Sequence, residues 1–215
     1  TGHKELESVD TDYERFDLLG GPRSLAHYPM GWAMASNTPF RLYKTNTHQG
    51  GQQVPLIISW PKKLSDQNTI RKQYQHVTDL LPTICDLVGI KIPKEKDGEA
   101  LPPAAGHSFA KSLDNPQISS THSEQYYEMI GHRGFYEEGW SAVTIRKPQT
   151  PFSEEKWELH HLSEDPTEIR DLSEKYPEKL KQLQDKWQQA AWDNQVFPLD
   201  EGNMVKETLR PPWEA

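Results

Sequence analysis

The sequence is poor in cysteine, in long hydrophobic runs and in positive charge. Cys85 is the only thiol among the 215 residues, which excludes an internal disulfide and a cysteine-rich zinc site. No run approaches the roughly 18–20 apolar residues that a membrane-spanning helix requires, so we expect no membrane partner. The net charge of −8 opposes the attraction that supplies most nonspecific affinity for phosphate backbones, so we expect no nucleic-acid partner.

Familiar catalytic and metal-binding motifs are also missing. The chain contains no glycine-rich phosphate loop, no G-x-S-x-G elbow, no H-E-x-x-H pair and no dense group of metal ligands. The apolar setting of Cys85, Thr83-Ile84-Cys85-Asp86-Leu87, favours a small buried hydrophobic residue over a nucleophile. The sequence therefore predicts no metal site in this chain and no complete catalytic apparatus.

The composition is that of a globular protein rich in loops. The chain has 34% hydrophobic and 26% charged residues, with 17 prolines, which suits one large domain or two small ones. Residues 1 to about 38 show no sustained hydrophobic period and are predicted to be a loop. Because the first ten residues resemble the middle of a loop, we expect that a segment precedes them.

Residues 54–100 predict part of an α/β domain. The apolar run at residues 54–60 (VPLIISW) is rich in β-branched residues and predicts a parallel-sheet strand covered on both faces. Apolar residues then recur at helical spacing over residues 77–88, with Thr78 or Asp79 available as the N-cap and Gly89 as the stop. A strand, a loop and a helix make up half of a βαβ unit, so further strands are needed to complete the sheet.

The hydrophobic period changes in the later part of the chain, after a connection dense in proline and glycine at residues 91–115. Residues 125–130, 134–145 and 156–162 alternate apolar and polar side chains, which predicts an antiparallel meander with a turn at Glu138-Gly139. A final helix is predicted to begin at Pro177 and to lie across this sheet. Its apolar face comprises Leu180, Leu183, Trp187, Ala190 and Ala191.

Lys44 is the leading candidate for a functional residue. It precedes the paired glycines Gly50 and Gly51, which lead into the predicted strand. Ligands of α/β sheets bind outside the ends of strands, so this pattern suits an anion-contacting loop; the alternative is a solvated surface lysine. His48 is either a second donor to the same anion or a loop histidine packed on its neighbours.

The other histidines have structural interpretations beside the functional ones. His76 is either a general base oriented by Asp79 or a residue that hydrogen-bonds the start of the helix. His160 and His161 alternate across a strand, so they cannot chelate an ion as a pair. His132 is expected at a strand end and His122 in an ordinary loop. The acidic run at residues 163–168 is predicted to be a turn, because it lacks a calcium-loop pattern.

Several segments occur together in an order typical of one enzyme family. Residues 32–44, Gly50-Gly51 and residues 54–57 resemble the segment after the metal-binding Asp-Asn motif of type I sulfatases, particularly bacterial arylsulfatases. Three further segments resemble the family's late sheet-packing helix, its C-terminal subdomain and the strand and turn before its closing helix: residues 73–83, 125–133 and 157–168. The resemblance covers nearly the whole chain from about Trp32.

The resemblance implies an α/β fold of the alkaline-phosphatase type, of which this chain holds the C-terminal part. It includes a small antiparallel sheet packed by a C-terminal helix. On this interpretation residues 1–100 are the C-terminal end of the catalytic α/β domain, and residues 101–215 form an α+β subdomain.

The resemblance also implies a chemistry, the hydrolysis of a small-molecule sulfate ester to an alcohol or phenol and sulfate. Members of the family use calcium and a formylglycine made from a C/S-x-P-S-R motif. Both cofactors are expected in the full-length enzyme and neither on this chain alone, which has no counterpart of the motif or of the calcium ligands. Lys44 matches, at the family's spacing from the glycine pair, the lysine that contacts sulfate and stabilises the leaving oxygen. His48 is a second candidate for substrate binding.

Several expectations follow for the chain on its own. It should be inactive, with the missing N-terminal part of the same protein as its partner, and its exposed apolar surface should favour self-association. The resemblance implies a periplasmic or secreted location. The alternatives are a phosphonate or phosphate ester hydrolase of the same superfamily and a noncatalytic interaction module.

Overall fold

The computed structural model describes residues 13–18, 20–23, 30–64, 69–147 and 150–199. Within these ranges the first half of the chain forms short helices, and the second half forms an antiparallel sheet with a long helix. No helix among the described residues is long and apolar enough to cross a membrane.

Short elements dominate the first half. The helices there are α1 (Met30–Ser36), α2 (Gln49–Gln52), α3 (Leu80–Val88) and α4 (Ala110–Asp114), with 3-10 turns at Phe16–Leu18 and Val77–Asp79. A hairpin joins β1 (Glu95–Lys96) to β2 (Glu99–Ala100) within the connection at residues 91–115. Leu64, Phe109 and Leu113 form a small buried cluster in this half.

The prediction of a continuous loop up to residue 38 is wrong for α1. Ala33, Met34 and Ala35 are strong helix formers, which is enough to favour a short helix without a regular apolar stripe. The remaining residues of that predicted loop lie partly outside the described ranges.

The predicted strand at residues 54–60 is also wrong. This segment belongs to no strand, and Val54 and Ile57 are 78% and 89% exposed. A strand is stable only when neighbouring strands pair with its backbone and cover its faces, and no strand among the described residues pairs with this segment.

The helix predicted at residues 77–88 is confirmed, as a 3-10 turn followed by α3. Asp79 is the N-cap residue of α3, and Pro82 lies in its first turn, where its missing N–H has no intrahelical acceptor. Gly89 ends the helix in the left-handed conformation, with φ 74°. Cys85, in the middle of α3, is a free and partly buried thiol.

Many apolar side chains of the first half are exposed. Leu81 and Ile84, on α3, are each 57% exposed instead of covering a sheet. We call the set the exposed apolar residues of the first half: Val54, Leu56, Ile57, Ile58, Ile70, Val77, Leu81, Ile84, Val88 and Ile90.

The predicted antiparallel meander is confirmed. Its strands are β3 (Glu124–Met129), β4 (His132–Glu137), β5 (Trp140–Thr144) and β6 (Glu158–His161), paired in the order β3-β4-β5-β6. The predicted turn at Glu138-Gly139 joins β4 to β5 with φ values of 47° and 89°. Two successive positive φ values are typical of a type I′ hairpin turn, whose twist matches that of the strands.

The predicted closing helix is α5 (Pro177–Asp193), and it packs on the sheet. Leu183, Trp187 and Ala191 are buried against the sheet, and the indole N–H of Trp187 donates to the carbonyl oxygen of Tyr127 at 2.9 Å. The buried core here also includes Phe135, Ala142, Trp157 and Leu159.

A buried carboxylate links the ends of the sheet. Glu155 accepts from Arg133 and from Arg146, with N–O distances of 2.5 Å each, and its side chain is fully buried. Phe152, in the 3-10 turn Phe152–Glu154, lies beneath both guanidinium groups, at 4.6 and 4.4 Å from its ring centre. One carboxylate therefore pairs with two guanidinium groups away from water.

Candidate functional site

A compact loop at residues 41–52, called the Lys44 loop below, carries the leading candidate residue. The backbone N–H of Gly50 donates to the carbonyl oxygen of Arg41 at 2.8 Å and closes the loop at its base. The side-chain amide of Asn37 donates to the carbonyl oxygen of Gly50, also at 2.8 Å. Hydrogen bonds within and next to the loop therefore fix its shape.

The paired glycines after Lys44 have a steric cause. A Cβ atom at Gly50 would lie 2.1 Å from the carbonyl oxygen of Leu42, far inside van der Waals contact. A Cβ atom at Gly51 would clash in the same way with the carbonyl oxygen of Asn46. The glycine pair is therefore required by the close approach of two backbone segments.

Backbone strain flanks Lys44 on both sides. Leu42 and Thr45 have φ values of 63° and 77°, in a region that β-branched and bulky residues rarely adopt. Such residues cost on the order of 1–3 kcal/mol each, and they persist only where the surroundings hold them. This conformation is typical of loops that present a functional side chain.

The base of the Lys44 loop is anchored to the second half of the chain. The hydroxyl of Thr47 donates to the carbonyl oxygen of Arg133 on β4 at 3.0 Å. The backbone N–H of Gln49 donates to Glu168, in the turn after β6, at 2.8 Å. Thr47, His48 and Gln49 are all buried, so the base of the loop is packed and not merely tethered.

Lys44 itself is exposed at the outer end of this loop. Within the ranges that the structure describes, no acidic side chain pairs with its ammonium group. By contrast, Lys179 and Lys186 on α5 both pair with Glu137. A free ammonium on a braced loop can meet an anion from solution, but the anion-binding role of Lys44 stays a prediction.

Behind the Lys44 loop, charged and imidazole side chains surround Glu158. Both terminal guanidinium nitrogens of Arg41 donate to this carboxylate, Nη2 at 3.3 Å from Oε1. Nε2 of His160 lies 3.2 Å from Oε2, and Nε2 of His48 lies 3.6 Å from it. The His160 ring, then His48 and Arg41, hold the pKa of Glu158 well below its usual range despite burial.

A second carboxylate, Glu168, lies close to this group and is only 1% exposed. Its Oε2 accepts from Gln49, but its Oε1 has no hydrogen-bond partner, and burial raises the pKa of Glu168 above its ordinary value. Burial lowers the pKa of His160, but the hydrogen bond to Glu158 and the charge of Glu168 outweigh it, and the net direction is upward.

A separate buried carboxylate, Asp79, organises the start of α3. It accepts from the backbone N–H of His76 at 2.7 Å and of His107 at 2.8 Å, and it lies 2.8 Å from Nδ1 of His122. Burial opposes its ionisation, but the hydrogen bonds from these donors outweigh burial and lower the pKa of Asp79. The His76 ring also accepts from the backbone N–H of Thr78, so His76 hydrogen-bonds the helix start, which was the structural interpretation of this residue.

The structure separates the remaining histidines. His160 is buried and His161 packs against Trp140, so the two rings have different surroundings, as strand alternation predicts. His132 accepts from the backbone N–H of Arg146 at 2.9 Å. His48 has no exposed surface, which is the packed arrangement given above as its alternative; a role in substrate binding stays a prediction.

Sequence reasoning missed the burial of several polar residues. His122 is 4% exposed and bound to Asp79, although an ordinary loop was expected. Residues 163–168 form the predicted turn, but Asp165 and Glu168 are buried in it. Nothing in the local pattern distinguishes His122 and Glu168 from solvated residues, because their partners, Asp79 and Gln49, are far away in the sequence.

Comparison with known proteins identifies the family. Residues 42–195 match the family model described as "N-sulphoglucosamine sulphohydrolase, C-terminal", which covers well over half of the chain. The chain belongs to this sulfatase C-terminal family, and the resemblance to type I sulfatases is confirmed.

Individual relatives agree with this assignment. An uncharacterized sulfatase from Schizosaccharomyces pombe is 27% identical over 171 residues, covering 79% of this chain and 30% of the relative. A sulfatase from Formosa agariphila is 27% identical and covers 66% of this chain and 26% of the relative. A Delta 4,5-hexuronate-2-O-sulfatase from Bacteroides thetaiotaomicron is 34% identical, over 56% of this chain and 24% of the relative. The chain thus spans less than a third of the length of these relatives.

Solved structures show the same fold. The crystal structure of Ps i-CgsB superposes with a TM-score of 0.59 at 19% identity, over 82% of this chain and 38% of that one. The fold is therefore the C-terminal part of an alkaline-phosphatase-like sulfatase fold, with a small antiparallel sheet packed by a C-terminal helix. The domain boundary predicted near residue 100 stays a prediction.

Proposed function

We propose that this chain is the C-terminal part of an enzyme that hydrolyses sulfate esters to an alcohol or phenol and sulfate, and that Lys44 contacts the ester. One observation carries the proposal. In a chain of the sulfatase C-terminal family, an exposed ammonium with no acidic partner among the described residues stands at the end of a braced loop.

The chemistry of ester cleavage explains the value of such a lysine. A sulfate ester is an anion, and its bridging oxygen gains further negative charge as its bond to sulfur breaks. An ammonium held close to that oxygen interacts more strongly with the transition state than with the ground state, and this difference accelerates the reaction. The hydrogen bonds and glycine contacts of the Lys44 loop hold the backbone of Lys44 in place before the ester binds, so little ordering of the loop is needed during the reaction.

The residues present do not fit the two cofactors that the family implies. Cys85 lies on α3 in the sequence Ile84-Cys85-Asp86-Leu87, without the C/S-x-P-S-R motif. Calcium takes about six to eight oxygen ligands, whereas the group of potential metal ligands that the described residues form, His48, Glu158 and His160, offers two nitrogens. We therefore assign calcium and formylglycine to a part of the enzyme outside this chain.

The partner in this proposal is the N-terminal part of the same protein. The exposed apolar residues of the first half support it, because soluble monomers rarely leave this many apolar side chains uncovered. Without that partner the chain should be inactive and should self-associate. A periplasmic or secreted location of the whole enzyme is part of the proposal and rests on family membership; fractionation of cells that express the complete gene tests it.

Hydrolysis assays on matched esters test the proposed function. p-Nitrophenyl sulfate and p-nitrophenyl phosphate are offered to the longest version of the protein and to the isolated chain. A hexuronate 2-O-sulfate, the substrate class in the name of the Bacteroides relative, is the second sulfate ester. We expect sulfate release by the longer protein only. Preference for the phosphate ester would favour a phosphatase, activity of the isolated chain would contradict the proposal, and inactivity of both on all esters would favour an interaction module.

A further inference from the structure

We propose that His48, Glu158 and His160 bind a transition-metal ion, with Zn²⁺ as the ion that best suits these ligands. The site is independent of the proposed esterase function. It lies behind the Lys44 loop, and both of its histidines are buried: His48 and His160 are each 0% exposed.

The three side chains have the spacing of metal ligands. One ligand atom from each lies within 4.8 Å of the others. Oε2 of Glu158 is 3.2 Å from Nε2 of His160 and 3.6 Å from Nε2 of His48. Tetrahedral zinc with bonds of about 2.0–2.1 Å separates its ligand atoms by about 3.3 Å. The two distances from Glu158 are therefore close to those of a tetrahedral zinc site.

The hydrogen bond on the far side of His160 fixes which of its nitrogens faces the cluster as a lone pair. Nδ1 lies 3.0 Å from the carbonyl oxygen of Arg170. A carbonyl only accepts, so Nδ1 carries the proton, and in the neutral ring Nε2 presents a lone pair to Glu158. In that neutral tautomer two acceptors face each other across 3.2 Å, and a bound cation would satisfy both of them. A backbone carbonyl on the other ring nitrogen is also the usual way in which proteins orient a histidine that binds a metal.

His48 provides an independent indication of a missing ligand. Its ring is fully buried, yet neither Nδ1 nor Nε2 has a hydrogen-bond partner. A buried polar atom without a partner costs about 1–3 kcal/mol, and native structures contain few of them. Because Nε2 of His48 faces Glu158 beyond hydrogen-bond distance, an ion between the two would give this nitrogen a partner.

The surrounding charges also favour a cation. Glu158 and Glu168 bring two carboxylates, and Arg41 is the guanidinium that pairs with Glu158. Besides the two imidazole rings, the group therefore holds two acidic side chains and one basic one. Arg41 and the ion can bind Glu158 at the same time, because a carboxylate has about four acceptor positions on its two oxygens.

The donor set and the access route identify the kind of ion. Two imidazole nitrogens and one carboxylate oxygen suit zinc better than calcium or magnesium, which prefer oxygen. The Glu158 side chain is 24% exposed, so water can reach the fourth coordination position. Arg41 and Glu168 also line an open depression at the surface, together with Thr38, Pro39, Thr167 and Ile169.

Metal titration of the 215-residue chain tests the proposal. The chain is stripped with a chelator, dialysed and titrated with Zn²⁺ by calorimetry, and separately with Co²⁺ followed by visible absorption. We expect one ion per chain and the intense d–d bands of a four-coordinate cobalt site. Absence of saturable binding, or a spectrum of hydrated Co²⁺, would overturn the proposal and leave protonated imidazole rings as the cations between these groups.

Variants locate the site. His48→Ala and His160→Ala should each weaken Zn²⁺ binding by more than about 100-fold, because loss of an outer-shell partner already costs about 10–100-fold. His161→Ala is the matched control, since its ring packs against Trp140, and it should bind like the wild type. Unchanged affinity in both of the first two variants would overturn the proposal. If they fail to fold, as judged by circular dichroism, Glu158→Gln and the cobalt spectrum of the wild type decide.

Discussion

A Cβ atom at Gly51 would lie 2.0 Å from the carbonyl oxygen of Asn46, because α2 passes directly against the outer part of the Lys44 loop. Gly51→Ala should therefore force these two backbone segments apart and lower the free energy of unfolding by about 1–3 kcal/mol. Chemical denaturation measures this change.

The matched control is Gly31→Ala on α1, where no atom lies within 4 Å of the new Cβ. That substitution should be neutral or slightly stabilising, since alanine favours a helix over glycine by about 0.5–1 kcal/mol. Equal stability of the two variants would show that the close approach at Gly51 is not a constraint.

Lys44→Ala separates chemistry from stability. In the complete enzyme it should lower kcat by about 10²- to 10³-fold, the usual cost of removing one donor to a developing oxyanion. The side chain is exposed, so the free energy of unfolding should stay within about 0.5 kcal/mol of the wild type. Steady-state kinetics and thermal unfolding measure the two quantities. Lys62→Ala, at another exposed lysine, is the control, and wild-type turnover in Lys44→Ala would remove the proposed role.

Glu155→Gln should destabilise the sheet end strongly. The substitution leaves the buried guanidinium groups of Arg133 and Arg146 without their carboxylate, and breaking such a buried ion pair costs about 3–5 kcal/mol. Urea unfolding of Glu154→Gln, one residue earlier and exposed, provides the reference. A loss no larger than in this reference would mean that water or other residues satisfy the two arginines.

Asp79→Asn should change how stability depends on pH. The folded pKa of Asp79 lies below its ordinary value of 3.8, so its ionised form stabilises the fold above that pH. This contribution is lost as the pH falls through the lower folded pKa. The stability difference between wild type and Asp79→Asn should therefore be constant above about pH 5 and shrink at lower pH.

Urea unfolding over a pH series measures this difference. Asp114→Asn, at an exposed position, is the control. A difference that does not change between pH 5 and the acid limit of folding would show that the donors around Asp79 do not favour its ionised form.

Ile57→Asp should reduce self-association of the isolated chain. Ile57 is 89% exposed and belongs to the exposed apolar residues of the first half, and a charge there opposes burial against another chain. Sedimentation velocity measures the fraction of dimers and larger species. Ile169→Asp, at a position 82% exposed in the second half, is the comparison; an equal effect of both would show that association is not specific to the first half.

The meander and α5 could be predicted because their signals are local. Alternation along the strands, the turn at Glu138-Gly139 and Pro177 at the start of a helix act over a few residues. The strand at residues 54–60 could not be judged in this way, because whether an apolar run becomes a strand depends on a neighbour that pairs with it. α1 was missed because good helix formers without an apolar stripe give no periodic signal.

Only part of the candidate site could be predicted from the sequence. Lys44 and the glycine pair were found because a family motif places them at a fixed spacing. The group formed by His48, Glu158 and His160 could not be found, because only folding brings the Lys44 loop against β6. The neighbour of His160 in sequence, His161, suggested a pair that the strand geometry excludes.

The braces of the Lys44 loop also set the order in which the chain can mature during its synthesis. Three of these hydrogen bonds need partners that are synthesised later. The partner of Thr47 is a carbonyl 86 residues further along the chain, that of Arg41 a carboxylate 117 residues further, and that of Gln49 a carboxylate 119 residues further. At ribosomal speeds this is a delay on the order of ten seconds. Until Glu168 has emerged, only local hydrogen bonds hold the strained backbone around Lys44, so a ribosome that stalls before this residue leaves the loop without its long-range anchors.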